Sequence, residues 1–312
     1  SFLVYLGSVL YWLMGRCVTR APSFKTSAGL ERSEPIINTE NAAGGLEYSD
    51  CYLYDNDARF VFNFIRKSLN YGCIATNYVS ALSSEETQAG WSTRVRDEMS
   101  GDEFDVRARV IVNAAGPWAD GVNSDSKQQT LHQHVFSKGI HLVVPQVTDN
   151  KRVLTFFASD GRLFFLIPMG PKTCIGTTDE KVENPEVVVT DADRDFVLEN
   201  ANKLLDLDPP LCREDIIAER VGVRPLAVTD GGAAADWGQL SRKHALDVDS
   251  TKKHITIFGG KLTDCLNVGD EIAETAAGFG LELPHPDQIW YGEPGAEMRR
   301  DFMHQARLMS LD

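Results

Sequence analysis

Apolar and polar positions alternate through residues 254–258, His-Ile-Thr-Ile-Phe, which predicts a strand. Gly259, Gly260 and Lys261 follow it, and then a helical pattern begins. Residues 55–73 carry Phe60, Phe64, Ile65 and Leu69 at helical spacing. Asp55 or Asp57 is placed to cap that helix, and Gly72 stands just past its end. Residues 74–83, "STRVRDE" and "FDVRARVIVNAAG" read as strands, with Gly101 in the turn between the last two. Residues 135–180 break into short strands, "GIHLVVP", "RLFFLIPM" and "KTCIGTTD", the pattern of an antiparallel sheet. A helix is predicted over 190–206, capped by Thr190 or Asp191, and "AERVGVRPLAV" continues as a strand. Residues 1–16 predict a helix that is apolar for about fifteen residues, short of the roughly twenty of a membrane span, so it is expected to be buried. Residues 17–50, with Pro22, Pro35 and Gly44-Gly45, read as loop-rich. "TDGGAAADWGQL" reads as a mobile loop, and the region after Gly280 as a proline-interrupted stretch with a polar helical end.

The chain's 312 residues are enough for two domains, and an apolar content of 43% can fill a sizeable core. A net charge of −14 argues against a nucleic-acid partner. It leaves room for a small phosphate-bearing molecule if a few Arg and Lys converge. None of the six cysteines stands in a C-x-x-C spacing, so they read as reduced thiols of a cytosol-facing protein, and no zinc or iron–sulfur site is indicated. His132 and His134 share a strand face but have no carboxylate near them in sequence, which makes a poor metal site. "DADRD" and "DLDPP" lack the loop glycine and closing glutamate of a calcium loop. The chain begins without Met, and its first element looks like the middle of something, so a preceding part of a longer protein is expected.

The Gly259-Gly260 pair lets backbone come close to another group, and the start of the following helix favours an anion there, as does Lys261. After the short strand from Arg109 to Val112, the small residues Ala114, Ala115 and Gly116 offer a similar close approach before Pro117 and Trp118 stop the strand. Arg224 stands among apolar neighbours, biased to extended backbone by Pro225, and is costly to bury without an anion. His141, between Ile140 and Leu142 on a strand, reads either as an ordinary strand histidine or as a proton acceptor.

In order, "GLEYSDCYLYDNDARFV", "NAAGPWAD", "KGIHLVVP", "IGTTDE" and "GVRPL … SRKHAL … FGGKLT" resemble the glycine-oxidase-like flavoproteins. Within them they are most similar to the FAD-dependent glycerol-3-phosphate dehydrogenases. The resemblance runs from about residue 40 to 275. It implies an α/β (mixed α+β) FAD-binding fold that is discontinuous, with an antiparallel-sheet substrate domain. The expected division is 1–44 as a helical and loop lead-in, 45–128 as an FAD-domain segment and 129–218 as the substrate domain. Residues 219–280 would be a substrate strand returning to the FAD domain, and 281–312 a tail or cap remnant.

By resemblance, FAD contacts fall to Val79, Ala114, Ala115, Gly116, Trp118, Gly259, Gly260, Lys261, Leu262 and Thr263. Substrate contacts fall to His141, Arg224, Arg242 and Lys261, with Arg242 at the phosphate. His141 would take the hydroxyl proton, or Arg224 would hold the alkoxide. The implied reaction is oxidation of sn-glycerol 3-phosphate to dihydroxyacetone phosphate, with electrons passing to a quinone. The setting would be peripheral to an inner membrane, on its cytoplasmic face or in the mitochondrion, and the chain would form a homo-oligomer. An oxygen-using glycerol-3-phosphate oxidase, an amine or hydroxy-acid oxidase, and a non-catalytic fragment are the alternatives.

Two departures stand out. The family's opening G-x-G-x-x-G turn, which holds the FAD pyrophosphate, does not occur in this sequence. The family's Lys-Leu-Thr-Thr-Tyr-Arg is here Lys261-Leu262-Thr263-Asp264-Cys265-Leu266. The 312-residue chain on its own is therefore expected to hold FAD weakly or not at all. The visible spectrum after desalting checks this: a stoichiometric flavin band that survives would overturn it.

Overall fold

Fourteen residues, His132–Pro145, form the central strand of the largest sheet. The computed structural model describes residues 2–40, 42–50, 57–229, 243–286, 288, 300 and 303–304. The elements before that strand are α1 (Phe2–Met14), β1 (Ser23–Lys25), α2 (Ser27–Ser33), β2 (Gly45–Glu47), α3 (Asp57–Leu69), β3 (Val79–Thr87), β4 (Gly90–Asp97), β5 (Glu103–Ala108), β6 (Ile111–Asn113) and α4 (Ala119–Asp125). The central strand is β7 (His132–Pro145). It is followed by β8 (Leu154–Phe157), β9 (Leu163–Met169), β10 (Lys172–Gly176), β11 (Glu180–Val182), α5 (Asp191–Leu204), β12 (Ala218–Thr229), β13 (His244–Asp249), β14 (His254–Gly259) and α6 (Cys265–Gly278).

Strands β11, β7, β10, β9 and β8 form one antiparallel sheet, and β12 pairs along the free edge of β7 for its whole length. On one face of this sheet Ile140, Leu142, Val144, Phe164, Leu166 and Ile175 are buried against Val197, Leu198 and Ala201 of α5. The other face is the one that carries His141. A second, three-stranded sheet runs β13-β14-β6, antiparallel within the hairpin and parallel between β14 and β6. The β3-β4-β5 sheet docks on it through Trp91, which is fully buried and donates its indole N–H to the Lys252 carbonyl at 2.8 Å.

One polar group interrupts the apolar face of β7. Lys138 is buried, and its Nζ lies 2.9 Å from Asp193 of α5 and 2.9 Å from Glu180. Asp193 also closes the capping box of α5, accepting from the Thr190 N–H and hydroxyl at 2.8 Å each. Burial pushes the Asp193 carboxyl up, but the bonds from Thr190 and Lys138 outweigh it and hold it below the usual range.

Several expectations need correction. Helix α1 forms but is not buried: Leu3 and Met14 are each 77% exposed. A helix apolar on every side needs cover all round, and most of its side chains are exposed. The stretch read as loop-rich contains β1, α2 and β2; three-residue strands and a seven-residue helix are too short to show a period. Strand β3 begins at Val79 rather than 74, just after Tyr78 takes a left-handed φ of 58°. Nearly all of the glycine- and alanine-rich loop, and most of the tail after 286, lie outside the described residues.

Replacing Asp193 with Ala is expected to cost roughly 2–4 kcal/mol, because it leaves Lys138 buried beside one exposed partner and opens the cap. Urea denaturation reads this. Since the folded carboxyl is depressed, its stabilisation is complete above the ordinary Asp pKa and is lost as pH falls through the folded value. The Ala variant should show a weaker acid dependence than wild type.

Candidate active site

Directly opposed residues on neighbouring strands project from the same face of a sheet. Arg220 of β12 opposes His141 of β7, His141 opposes Gly176 of β10, Gly176 opposes Phe165 of β9, and Phe165 opposes Thr155 of β8. Arg220, His141, Phe165 and Thr155 of this row all line a cleft of about 2460 Å³. Gly176 is required in the row: a Cβ there would lie 2.8 Å from the His141 ring. Residues 44–50 with Phe60 and Phe64 line it as well. So do Lys261, Leu262 and Thr263. A short 3-10 turn from Leu262 to Asp264 starts there, and no side chain caps it, so its first N–H groups are open to an acceptor.

His141 is half-buried. Burial first, then the charges of Arg224 and Arg220, push its pKa down to about 4. The imidazole is therefore neutral near pH 7 and able to accept a proton. Arg224 sits farther along the same face, opposite Ser137, and is not among the residues lining the cleft. Its guanidinium passes over Gly139 and lies 3.7 Å from Asp179, which also accepts the Ser137 hydroxyl.

Strands β6 and β14 are parallel neighbours, so the turns leaving their carboxyl ends lie side by side, the usual ligand position at such a sheet. The first turn holds Ala114, Ala115 and Gly116; the second holds Gly259 and Gly260. Gly259 has φ +62°, and a Cβ on it would meet the Lys243 carbonyl at 3.1 Å. Asn113 fixes the first turn by accepting the Ala115 N–H at 3.2 Å and donating to the Ala119 carbonyl at 2.9 Å. Beside the second turn, His244 bonds Asp264 at 2.6 Å and Glu271 at 3.1 Å. The bond to Glu271 is the leading cause of a raised His244 pKa. Asp264, the departure from the family motif, thus ties β13 to the start of α6.

Of the residues singled out in the sequence, His141, Lys261, Leu262 and Thr263 come together at the cleft. Ala114, Ala115, Gly116, Gly259 and Gly260 form the paired turns, and Val79 opens β3, which packs beside α4. Trp118 is 57% exposed and borders a separate groove with Val221 and Gly222. Arg242 lies outside the described residues. Arg220 went unnoticed, although its i, i+4 spacing to Arg224 on a strand places both on one face.

A family model described as FAD dependent oxidoreductase matches residues 16–255. The chain belongs to that family. Among its relatives, the mitochondrial glycerol-3-phosphate dehydrogenase of Mesocricetus auratus is 31% identical over 286 residues, covering 87% of this chain and 38% of that protein. Glycerol-3-phosphate dehydrogenase of Mycobacterium leprae is 32% identical over 267 residues, covering 84% and 43%. The chain therefore spans less than half the length of these relatives. A crystal structure of glycerol-3-phosphate dehydrogenase from Bacillus halodurans complexed with FAD superposes with TM-score 0.70 at 25% identity, covering 91% of this chain and 55% of that one. Glycine oxidase from Geobacillus kaustophilus shares the fold, with TM-score 0.54 at 16% identity over 92% of this chain and 70% of that one.

The His141 titration tests the electrostatics. Arg224→Ala and Arg220→Ala should each raise its pKa, Arg224→Ala by more, as read by imidazole NMR shifts against pH. Because the folded value is depressed, wild-type stability should fall as pH drops from about 6.5 toward about 4. Both substitutions should flatten that fall.

Proposed function

We propose that this chain carries the substrate cleft and part of the flavin site of an FAD-dependent glycerol-3-phosphate dehydrogenase. The observation that carries the reading is a neutral, half-buried histidine beside two arginines, lining the same cleft as an uncapped helix start. The glycerol-3-phosphate dehydrogenase names of the relatives support it.

The residues present fit FAD. Gly259 and Gly260 give a turn that admits close approach, and the open N–H groups at 262–263 can face the electron-rich edge of an isoalloxazine. Bound there, FAD supplies the acceptor for the hydride leaving substrate C2. His141 accepts the hydroxyl proton at its ring nitrogen as that C–H bond breaks. Arg220 places a positive charge beside the developing alkoxide, with Arg224 adding its field from farther along the strand. Lys261, which lines the cleft, and Arg242 take the phosphate, Arg242 on the strength of its "SRKHAL" motif. The product is dihydroxyacetone phosphate.

A quinone as final acceptor, peripheral attachment at an inner membrane and homo-oligomer formation belong to the same proposal. Among the described residues no helix is long and apolar enough to cross a membrane.

With FAD added, glycerol 3-phosphate should bleach the flavin band under anaerobic conditions, while glycerol should do so far more weakly. His141→Gln should abolish bleaching. Arg242→Ala should raise the half-saturating glycerol 3-phosphate concentration about thirty- to a thousand-fold and leave the glycerol reaction unchanged, the loss of a charge-assisted phosphate contact. Equal response to the two substrates would sink the phosphate assignment.

A further inference from the structure

His134 of β7 stands outside the cleft, yet it joins two elements that the flavin site needs. Its side chain is fully buried. Its Nε2 lies 3.2 Å from the Gly259 amide, which donates to it. An acceptor nitrogen carries a lone pair, so the ring proton sits on Nδ1. Nδ1 in turn lies 3.0 Å from Oδ2 of Asp120, and the same oxygen accepts the His134 backbone N–H at 3.2 Å. Asp120 is in the first turn of α4. The ring also packs on Phe258, the residue before the turn, with centroids 4.9 Å apart.

Helix α4 reaches the other turn as well. Asn123 accepts from Asn113 at 2.8 Å and from the Thr256 hydroxyl at 2.8 Å, all three being buried. Asn113 holds the Ala115 N–H. One short helix thus anchors both backbone turns at the ends of β6 and β14: the first through Asn123 and Asn113, the second through Asp120 and His134.

We propose that His134 is a positioning residue for the Gly259-Gly260 turn, held by Asp120 as the neutral Nδ1–H tautomer so that its Nε2 aims the Gly259 amide and keeps the turn in its open left-handed shape. The importance of that turn for flavin rests on the function proposed above; the relay itself does not. His134 touches neither substrate nor the reacting atoms. It acts through Gly259, where φ +62° is a conformation that the chain leaves easily without a partner for the amide. The neighbouring His132 repeats the motif, giving Nδ1 and backbone N–H to Asp247 at 2.7 and 2.8 Å. No backbone bond to the His132 Nε2 is seen among the described residues, so the link to the turn is particular to His134.

The test uses the 312-residue chain. Imidazole 15N NMR should show His134 as the Nδ1–H tautomer, and Asp120→Ala should shift it toward Nε2–H. Amide hydrogen exchange at Gly259 should be slow in wild type, about tenfold faster in His134→Leu, and restored in His134→Gln, whose side-chain carbonyl can take the same N–H. FAD binding, followed by fluorescence quenching, should weaken about tenfold in His134→Leu and recover in His134→Gln. An Nε2–H tautomer in wild type overturns the relay, and so does unchanged Gly259 exchange in His134→Leu. If exchange and tautomer behave as expected but His134→Leu binds FAD as wild type does, the relay stands and the part of this turn in holding flavin falls.

Discussion

Strand β7 has two faces, and most of the molecule follows from keeping them apart. Ile140, Leu142 and Val144 go to the core against α5, while Ser137, Gly139 and His141 go to the opposite side. A slip of one residue would exchange the sets, burying an imidazole among leucines and exposing the core. Three strands pair with β7, so its register is fixed from both edges. Lys138 sharpens the same constraint. It is buried and needs a carboxylate, and only the correct register brings it to Asp193.

Carboxylates recur as partners of the imidazoles around the glycine turn. Asp120 holds His134, Asp247 holds His132, and Asp264 with Glu271 holds His244. His141 is the contrast, since among the described residues no carboxylate hydrogen-bonds it and two guanidiniums act on it. In a chain of net charge −14 this is a local reversal of sign. It leaves one imidazole neutral in a positive setting and gives the others fixed orientations. The acidic surface repels anions in general, so the cations around the cleft supply the local attraction.

Much of this was legible in the sequence. The alternation of β14, the Thr190 cap of α5 and the strand–glycine–helix order at 254–271 are local signals, and local signals survive in one dimension. Arg220 and the His134 relay were not found. Arg220 lacks a proline or glycine beside it to draw notice, and its value comes from facing His141 across a strand pair 79 positions away (220 against 141). His134 meets Asp120 of another element and Gly259, 125 positions along the chain, only in the folded arrangement. Two histidines with no acid nearby in sequence turned out to have one acid each in space. Helix α1 shows the opposite limit, for its composition is plain while its cover is not.

The floor of the cleft includes a cross-strand row from Arg220 to Thr155, with a notch at Gly176. Each of its positions is bonded into the ladder, so insertions cannot widen it without breaking the sheet. Side-chain exchange at the ends of the row is free of that restriction. Descendants of such a scaffold can alter what they recognise through positions such as Phe165 and Thr155, while the place of the imidazole is inherited with the backbone. The architecture thus separates what is free to diverge from what lineage must keep.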